Sequence, residues 1–337
     1  MKNFINRLFP RAVFLSEPPT KSRKLIVDIL ITVLLFTIAE VPVSLILTPC
    51  YLGYIYTSID LSTWMSTAPS DPAAIPEYTQ SVIDRTMNII NNLPAWINIV
   101  TLFTFIFITL AVIICRVKIE KGSAFSLGFS RGNVVKNYSF GLLIGAGIFS
   151  LAVAISAATG GLRFDGVAVT GGLDVLYIIL FLLGFIVQGM AEEVLCRGYL
   201  MTAVARRHSV VTAVIVNSVF FAALHVANNG LTVLAIFNLV LFGVFASMLM
   251  LKTNNIWIVC AVHTVWNFLQ GNFYGISVSG MAKSASVFSF VPTEFKLMSG
   301  GAFGLEGALS VTVALLIGIL MMALIKTPKS QEPTIEA

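Results

Sequence analysis

Residues 173–205 read LDVLYIILFLLGFIVQGMAEEVLCRGYLMTAVA, an apolar stretch long enough to decide the class of fold. An α-helix crosses the hydrocarbon core of a bilayer with about 20 apolar residues, and this stretch exceeds that length. Glu192, Glu193 and Arg197 interrupt it near its centre. An ionisable side chain at bilayer depth costs about 2.5–3.5 kcal/mol on insertion scales. The three residues therefore indicate a functional site inside a membrane-spanning helix.

The rest of the chain indicates the same class of protein. It is 57% hydrophobic and only 11% charged, whereas soluble domains carry about 25% charged residues. This composition excludes a water-soluble globular enzyme and a disordered chain. Seven further apolar segments lie at 25–47, 95–115, 138–158, 209–227, 231–251, 255–272 and 306–325. The sequence thus predicts an all-α fold, a polytopic transmembrane helical bundle of about eight spans.

The distribution of Lys and Arg predicts the orientation of the bundle. Basic residues cluster in the N-terminal tail, in 116–137, at Arg206 and Arg207, and after residue 325, whereas the loop 48–94 is acidic. Because positively charged loops stay on the cytoplasmic side, both termini are expected in the cytoplasm. An even number of spans also requires the termini to share a side. The net charge of +5 forms no single patch, so the expected partner is the lipid bilayer and not nucleic acid.

The two adjacent glutamates point in different directions, because successive residues of a helix are turned by about 100°. Glu193 precedes Arg197 by four residues, which is the favourable order for an ion pair. Glu192 lies on another face, which it shares with Gln188 one turn earlier. We therefore expect Glu193 and Arg197 to brace the helix and Glu192 to be available for chemistry.

Two of the three histidines lie inside apolar segments, one in 209–227 and the other in 255–272. His225 ends the motif Phe221-Ala-Ala-Leu-His225, and His263 starts the motif His263-Thr-Val-Trp-Asn267. The second spacing places His263 and Asn267 on one helix face. Consecutive helices joined by a short turn pack antiparallel, which brings Glu192 and His225 to similar depths. We expect the Glu192 carboxylate and the His225 ring to lie within direct or single-water hydrogen-bond reach, with His263 and Asn267 facing the same cavity.

Together the three motifs resemble those of a known family. Glu-Glu-x-x-x-Arg at 192–197, Phe-x-x-x-His at 221–225 and His-x-x-x-Asn at 263–267 resemble, in order and spacing, the CPBP family of intramembrane endopeptidases. This family groups the type II CAAX prenyl endopeptidase with bacterial bacteriocin-processing and self-immunity (abortive-infection-like) proteins. The resemblance covers residues 130–275 and implies that the first glutamate and the two histidines are the catalytic set. Cys196 departs from the aromatic residue that the family commonly carries before the Arg.

The residues themselves support a mechanism of the same kind. Amide hydrolysis requires an activated water and a stabilised oxyanion, and a carboxylate in a water-poor pocket can act as the general base. Glu192 and His225 are expected to bind and deprotonate one water, while His263 and Asn267 donate hydrogen bonds to the oxyanion. A zinc site formed by His225, His263 and Glu192 is the alternative. We favour the mechanism without a metal or other cofactor, because zinc would consume the groups that can act as base.

These inferences predict a function and leave one alternative open. The chain is expected to be an integral, multi-pass protein of a bacterial cell membrane that hydrolyses a peptide bond of a membrane-associated protein or peptide. The alternative is a non-proteolytic immunity protein, or an ion- or proton-coupled transporter that uses the buried Glu/Arg cluster, because intramembrane carboxylates also form relays. A proton or ion relay does not require a pair of hydrogen-bond donors such as His263 and Asn267 facing Glu192. Their presence therefore favours the protease.

The same features divide the chain into four regions. A cytoplasmic basic tail (1–24) precedes an N-terminal two-span region with an outer loop (25–127). A protease core similar to that of the CPBP family follows (128–275). An outer or re-entrant loop, the last span and a cytoplasmic tail form the remainder (276–337).

Overall fold

The computed structural model describes residues 9–10, 12–15, 23–58, 69–91, 93–130, 132–281 and 284–325. Most of the predicted basic tail and all of the predicted tail after residue 325 lie outside these ranges. The main helices are α1 (Leu25–Ser58), α2 (Ile75–Asn91), α3 (Ala95–Ile119), α4 (Val134–Ala158), α5 (Gly172–Arg207), α6 (Val210–Ala223), α7 (Val233–Thr253), α8 (Ile256–Phe268) and α9 (Leu309–Leu324). All of them except α2 coincide with the predicted apolar segments, which confirms the all-α fold.

The helices are those of an integral membrane protein. Within the described ranges, α1, α3, α4, α5 and α7 are long and apolar enough to cross a membrane, and α6 and α9 are apolar but shorter. Large apolar side chains such as Leu30, Leu34 and Leu45 are exposed along α1, as expected of a helix that faces lipid. The number of spans, about eight, and the location of both termini in the cytoplasm stay predictions.

The loop predicted at 48–94 contains more helix than its sequence indicates. Helix α1 continues through Pro49 to Ser58, because neighbouring helices can satisfy the backbone groups that a proline frees inside a membrane. Helix α2 begins at Ile75, after a turn in which Asp71 accepts a hydrogen bond from the N–H of Ala73 at 2.9 Å. Such an acidic cap favours the start of a helix.

Helix α8 lies in the middle of the bundle and packs against α4 and α5. Every residue from 258 to 267 is buried. Two glycines of α4 allow this close approach: a methyl group at Gly141 would collide with the carbonyl oxygen of Ile258, and Gly145 is similarly tight against α8. Gly147 faces open space. The glycines of α4 therefore set the position of the helix that carries the third motif.

Replacement of Gly141 by Ala is expected to destabilise the protein by about 1–3 kcal/mol, because the added methyl group overpacks the contact with α8. Gly147→Ala is the matched control, and it is expected to be neutral or to stabilise by up to about 1 kcal/mol through helix propensity. Thermal denaturation of the purified variants in detergent measures the difference. Equal melting temperatures for the two variants would contradict the close α4–α8 contact.

The basic ends of several helices meet at one end of the bundle. Arg23 forms ion pairs with Asp28 and Glu120, and Arg207 lies 3.4 Å from Asp28. Burial alone would raise the pKa of Glu120, but hydrogen bonds from Arg23 and Tyr199 hold it below its usual value. The described basic loops thus share one side of the bundle, as an orientation set by positive charge requires.

Loops and a short two-stranded sheet cover the opposite end. Strand β1 (Leu162–Val167) pairs antiparallel with β2 (Phe288–Pro292), and Phe164 lies opposite Phe290. The sequence predicts only an outer or re-entrant loop here. The alternation in β2 explains the difference, because it places Phe288 and Phe290 on one face, where both rings contact Phe164. One helical turn and two 3₁₀ turns lead from β2 into α9.

Candidate active site

Glu192 and Glu193 lie where α5 changes from an α-helix to a wider π-helical turn. The first α-helical part ends at Glu193, the π-helical part spans Val194–Met201, and the α-helix resumes at Thr202. Both glutamates are buried. Short π-helical turns inside α-helices occur frequently at functional sites. The apolar pattern of the sequence does not reveal this widening.

Glu193 and Arg197 form the ion pair that their spacing predicts. Arg197 Nη1 donates a hydrogen bond to Glu193 Oε1 at 2.9 Å, and both side chains are fully buried. The guanidinium also lies over the ring of Phe221, with Cζ 4.5 Å from the ring centroid. A cation–π contact of this kind stabilises a cation that has lost its water. Arg197 is thus held from α5 itself and from α6.

His263 bridges the two glutamates. Its Nδ1–H donates to Glu193 Oε1 at 2.8 Å, since a carboxylate can only accept. On the other side of the ring, Nε2 lies 3.7 Å from Glu192 Oε2. Contacts with the rings of Phe221 and Phe242 fix the plane of the imidazole. The sequence does not predict this bridge, because His263 follows Glu193 by 70 residues.

A second chain of hydrogen bonds runs from α8 to Glu192. Asn267 Nδ2 donates to Gln188 Oε1 at 3.0 Å, and Gln188 Nε2 donates to Glu192 Oε1 at 3.0 Å. Gln188 therefore fixes one oxygen of Glu192. The other oxygen, Oε2, is buried and accepts no hydrogen bond from a described residue. Gln188 is visible in the sequence on the face of Glu192, but only the structure shows that it joins Glu192 to Asn267.

His225 lies just beyond the end of α6, and not within the helix that the segment 209–227 predicts. Helix α6 ends at Ala223. The next turn is tighter than an α-helical turn, because the N–H of His225 bonds to the carbonyl of Ala222, three residues earlier. The side chain Nδ1–H donates to the carbonyl of Phe221 at 2.9 Å, which leaves Nε2 as an acceptor. No direct hydrogen bond or ion pair joins His225 to Glu192, both of which the structure describes. Contact through one water stays a prediction.

The predicted residues line one cavity of about 340 Å³. Glu192, His225, His263 and Asn267 face it together with Gln188. Apolar side chains from several helices form much of the wall, among them Leu102, Phe105, Ile108, Leu239, Phe242 and Leu315. A largely apolar cavity with a few convergent polar groups is the usual form of an active site. Glu193 and Arg197 do not line the cavity. They lie behind its wall, where Glu193 binds the lining residue His263.

The fit of these residues to a metal ion is poor. Among the described residues, no three His, Cys, Asp or Glu side chains form a group that could hold a metal. We therefore derive no catalytic step through zinc.

Comparison with known families agrees with the geometry. Residues 174–269 match the family described as type II CAAX prenyl endopeptidase Rce1-like. The matched segment is less than a third of the chain, and it supports the resemblance to the CPBP family. No curated protein and no solved structure matches the chain. The matched segment contains every motif residue that the sequence analysis selects, namely Glu192, Glu193, Arg197, His225, His263 and Asn267.

The CPBP segment ends before part of the cavity wall. The match stops at residue 269, whereas Ser279, Met281 and Glu306 also face the cavity. These later residues come from the loops at the end of the bundle opposite the basic loops. The CPBP motifs therefore describe one part of the site, and the loops before α9 supply another.

Proposed function

We propose that this protein is an intramembrane endopeptidase of the CAAX type, which hydrolyses a peptide bond of a membrane-associated protein or peptide. One observation carries the proposal: a carboxylate, two histidines and a side-chain amide converge on one largely apolar cavity. The family match supports the reaction class. The steps below follow from the contacts of these side chains.

Glu192 is the proposed general base. Gln188 occupies its Oε1, and its Oε2 accepts no hydrogen bond from a described residue, so Oε2 takes a proton from water. His225 offers a second acceptor, Nε2, to orient the same water. The hydroxide oxygen attacks the carbonyl carbon of the substrate, and Glu192 later gives the proton to the leaving amine. A positioned general base typically contributes about 10²–10⁴-fold to the rate.

His263 and Asn267 are the proposed donors to the oxyanion. Asn267 uses one amide hydrogen on Gln188, and the second remains for the substrate oxygen. His263 donates from Nε2 when it is protonated, and the Glu193 carboxylate on Nδ1 stabilises that cation and holds the ring in place, as the acid of a hydrolase triad does. Arg197 holds the Glu193 side chain in place through their ion pair. Removal of one such donor costs about 3–4 kcal/mol of transition-state stabilisation in known hydrolases.

The test is hydrolysis by the purified full-length protein in liposomes. Membrane-anchored peptides of varied sequence are incubated in water enriched in ¹⁸O, and mass spectrometry identifies the new termini. We expect one ¹⁸O atom in each new carboxyl terminus, because water supplies the attacking oxygen, and no such product with the Glu192→Gln variant. Proton or ion flux across the liposome with every peptide intact would instead support a transporter.

Cleavage is expected to continue in the presence of strong chelators, and the purified protein is expected to contain no stoichiometric zinc. The physical reason is the shortage of ligands, because a catalytic zinc site needs three protein ligands and a separate base. Elemental analysis and activity after dialysis against a chelator measure both points. About one zinc per chain, lost together with activity in His225 and His263 variants, would assign His225, His263 and Glu192 as metal ligands instead.

A further inference from the structure

Glu306 is a further carboxylate at the same cavity, and it lies outside the segment that matches the family. It sits in the 3₁₀ turn Leu305–Gly307, directly before α9. Only 7% of its surface is exposed. None of the motifs includes it, and the mechanism above does not use it.

The fold holds the Glu306 side chain in one place. Its Oε2 accepts hydrogen bonds from the backbone N–H of Ser279 at 2.8 Å and from the hydroxyl of Ser279 at 2.7 Å. Its backbone carbonyl accepts from Asn238 Nδ2 at 2.7 Å. Gly304, with φ of +99°, packs so closely on the carbonyl of Ser277 that a Cβ atom would collide. A charged group fixed by its own support is suited to binding a ligand.

No positive side chain compensates Glu306 in the part of the chain that the structure describes. No described Lys or Arg forms an ion pair with it, and none lines the cavity. Its hydrogen-bond donors are the neutral groups of Ser279 and, at 3.4 Å, of Gln270, and all of them bind Oε2. Among the described residues, Oε1 has no donor. The cavity thus carries Glu192 and Glu306 against two histidines.

The chemistry of this carboxylate selects its ligand. A buried charge without a partner is costly, and a ligand cation would offset that cost. A protein metal site usually combines several ligating side chains, and among the described residues no three His, Cys, Asp or Glu form such a group. A free carboxylate would be repelled, because like charges interact strongly in a low-dielectric cavity. An ammonium or guanidinium group donates charge-assisted hydrogen bonds to a single carboxylate oxygen.

Glu306 is also connected to the catalytic end of the cavity. Asn228 donates from its backbone N–H to the carbonyl of His225 at 3.0 Å, and from Nδ2 to the carbonyl of Ser279 at 2.9 Å. Ser279 in turn binds Glu306. Only two residues therefore lie between His225 and Glu306 in this chain of contacts. A peptide bond bound near His225 can place one of its neighbouring side chains at Glu306.

We propose that Glu306 binds the ammonium or guanidinium group of a Lys or Arg near the scissile bond of the substrate. The cavity thereby selects membrane-associated segments that carry a positive charge near the scissile bond. This specificity rests on the proposed function, since it names the substrate class of the same site.

The test compares matched peptides on the full-length protein in liposomes. A single Lys is moved through the positions on both sides of the cleavage site of a membrane-anchored peptide. Each peptide is compared with its acetyl-lysine form, which keeps the length and removes the charge. At the favoured position we expect kcat/KM to be about tenfold higher for Lys, as a charged hydrogen bond implies. Glu306→Gln is expected to cleave the two forms equally.

Two control variants separate Glu306 from other charges. Glu294→Gln removes an exposed carboxylate between β2 and α9, and Lys283→Gln removes the Lys that follows Ser279 most closely in sequence. Both variants are expected to keep the preference for Lys. Loss of the preference in Lys283→Gln with retention in Glu306→Gln would overturn the inference.

The outcomes for specificity and for proteolysis are distinguishable. Equal cleavage of the Lys and acetyl-lysine peptides by the wild type, with activity that still depends on Glu192, overturns the role of Glu306 and leaves the protease. Cleavage that survives Glu192→Gln overturns the proposed role of Glu192 as general base and leaves the role of Glu306 to the peptide comparison. If no peptide is cleaved, the Kd values of the labelled Lys and acetyl-lysine peptides are compared instead. Equal values overturn the role of Glu306. The comparison of the Lys and acetyl-lysine peptides uses the wild type, so it stands even where Glu306→Gln does not fold.

Discussion

Replacement of Glu192 by Gln is expected to lower the rate of peptide cleavage by about 10²–10⁴-fold, the usual contribution of a general base, while the protein remains folded. Gln keeps an oxygen that can accept the hydrogen bond from Gln188 Nε2, so the local structure is preserved. It cannot take a proton from water, so the chemical step fails. Measurements of kcat/KM in liposomes and of the melting temperature separate the two effects.

Two other carboxylates provide the comparison. Glu77→Gln removes an exposed carboxylate of α2 and is expected to change neither activity nor stability. Glu193→Gln is expected to reduce folding yield, because Glu193 binds both Arg197 and His263. If Glu193→Gln were folded and inactive while Glu192→Gln kept full activity, the roles of the two glutamates would have to be exchanged.

Replacement of Arg197 by Met is expected to destabilise the protein by about 3–5 kcal/mol, the usual cost of stranding one partner of a buried ion pair. Glu193 would keep His263 as a partner and lose the only guanidinium that binds it among the described residues. The contact of the guanidinium with the ring of Phe221 would also be lost. Thermal or denaturant unfolding in detergent measures the change.

The double variant Glu193→Gln with Arg197→Met tests the cause of this loss. It removes both charges, so we expect it to recover part of the stability that Arg197→Met loses. Arg163→Met is the matched control, because Arg163 is exposed on β1 and forms a 3.6 Å ion pair with Asp165, which is exposed too. It is expected to change stability by less than about 0.5 kcal/mol. An Arg197→Met variant as stable as the wild type would contradict a structural role for the pair.

The sequence predicts the fold well where its signal is long. Apolar segments of membrane length identify the helices, because lipid requires that each backbone group be satisfied within its own segment. The ends of helices are harder to predict: Pro49 marks a boundary in the sequence, yet α1 continues to Ser58. Strands β1 and β2 are too short to stand out beside the apolar helices.

The sequence selects residues that line one cavity, but it reveals few of the contacts between them. Local spacing identifies the pair of Glu193 and Arg197, because both residues lie on one helix. The bridge from His263 to Glu193 depends on how α8 packs against α5, which no local pattern contains. The polar residue Glu306 gave no signal, because it stands alone in a loop that shares no spacing with the motifs.

The contacts of Phe221 explain the four-residue spacing of the second motif. Its carbonyl holds Nδ1 of His225 four residues later, while its ring contacts the guanidinium of Arg197 and the imidazole of His263. One residue therefore couples all three motifs, so that none of them can shift without straining the others. A site tied together in this way loses little entropy when substrate arrives, and its groups need not reorganise as charge develops in the transition state.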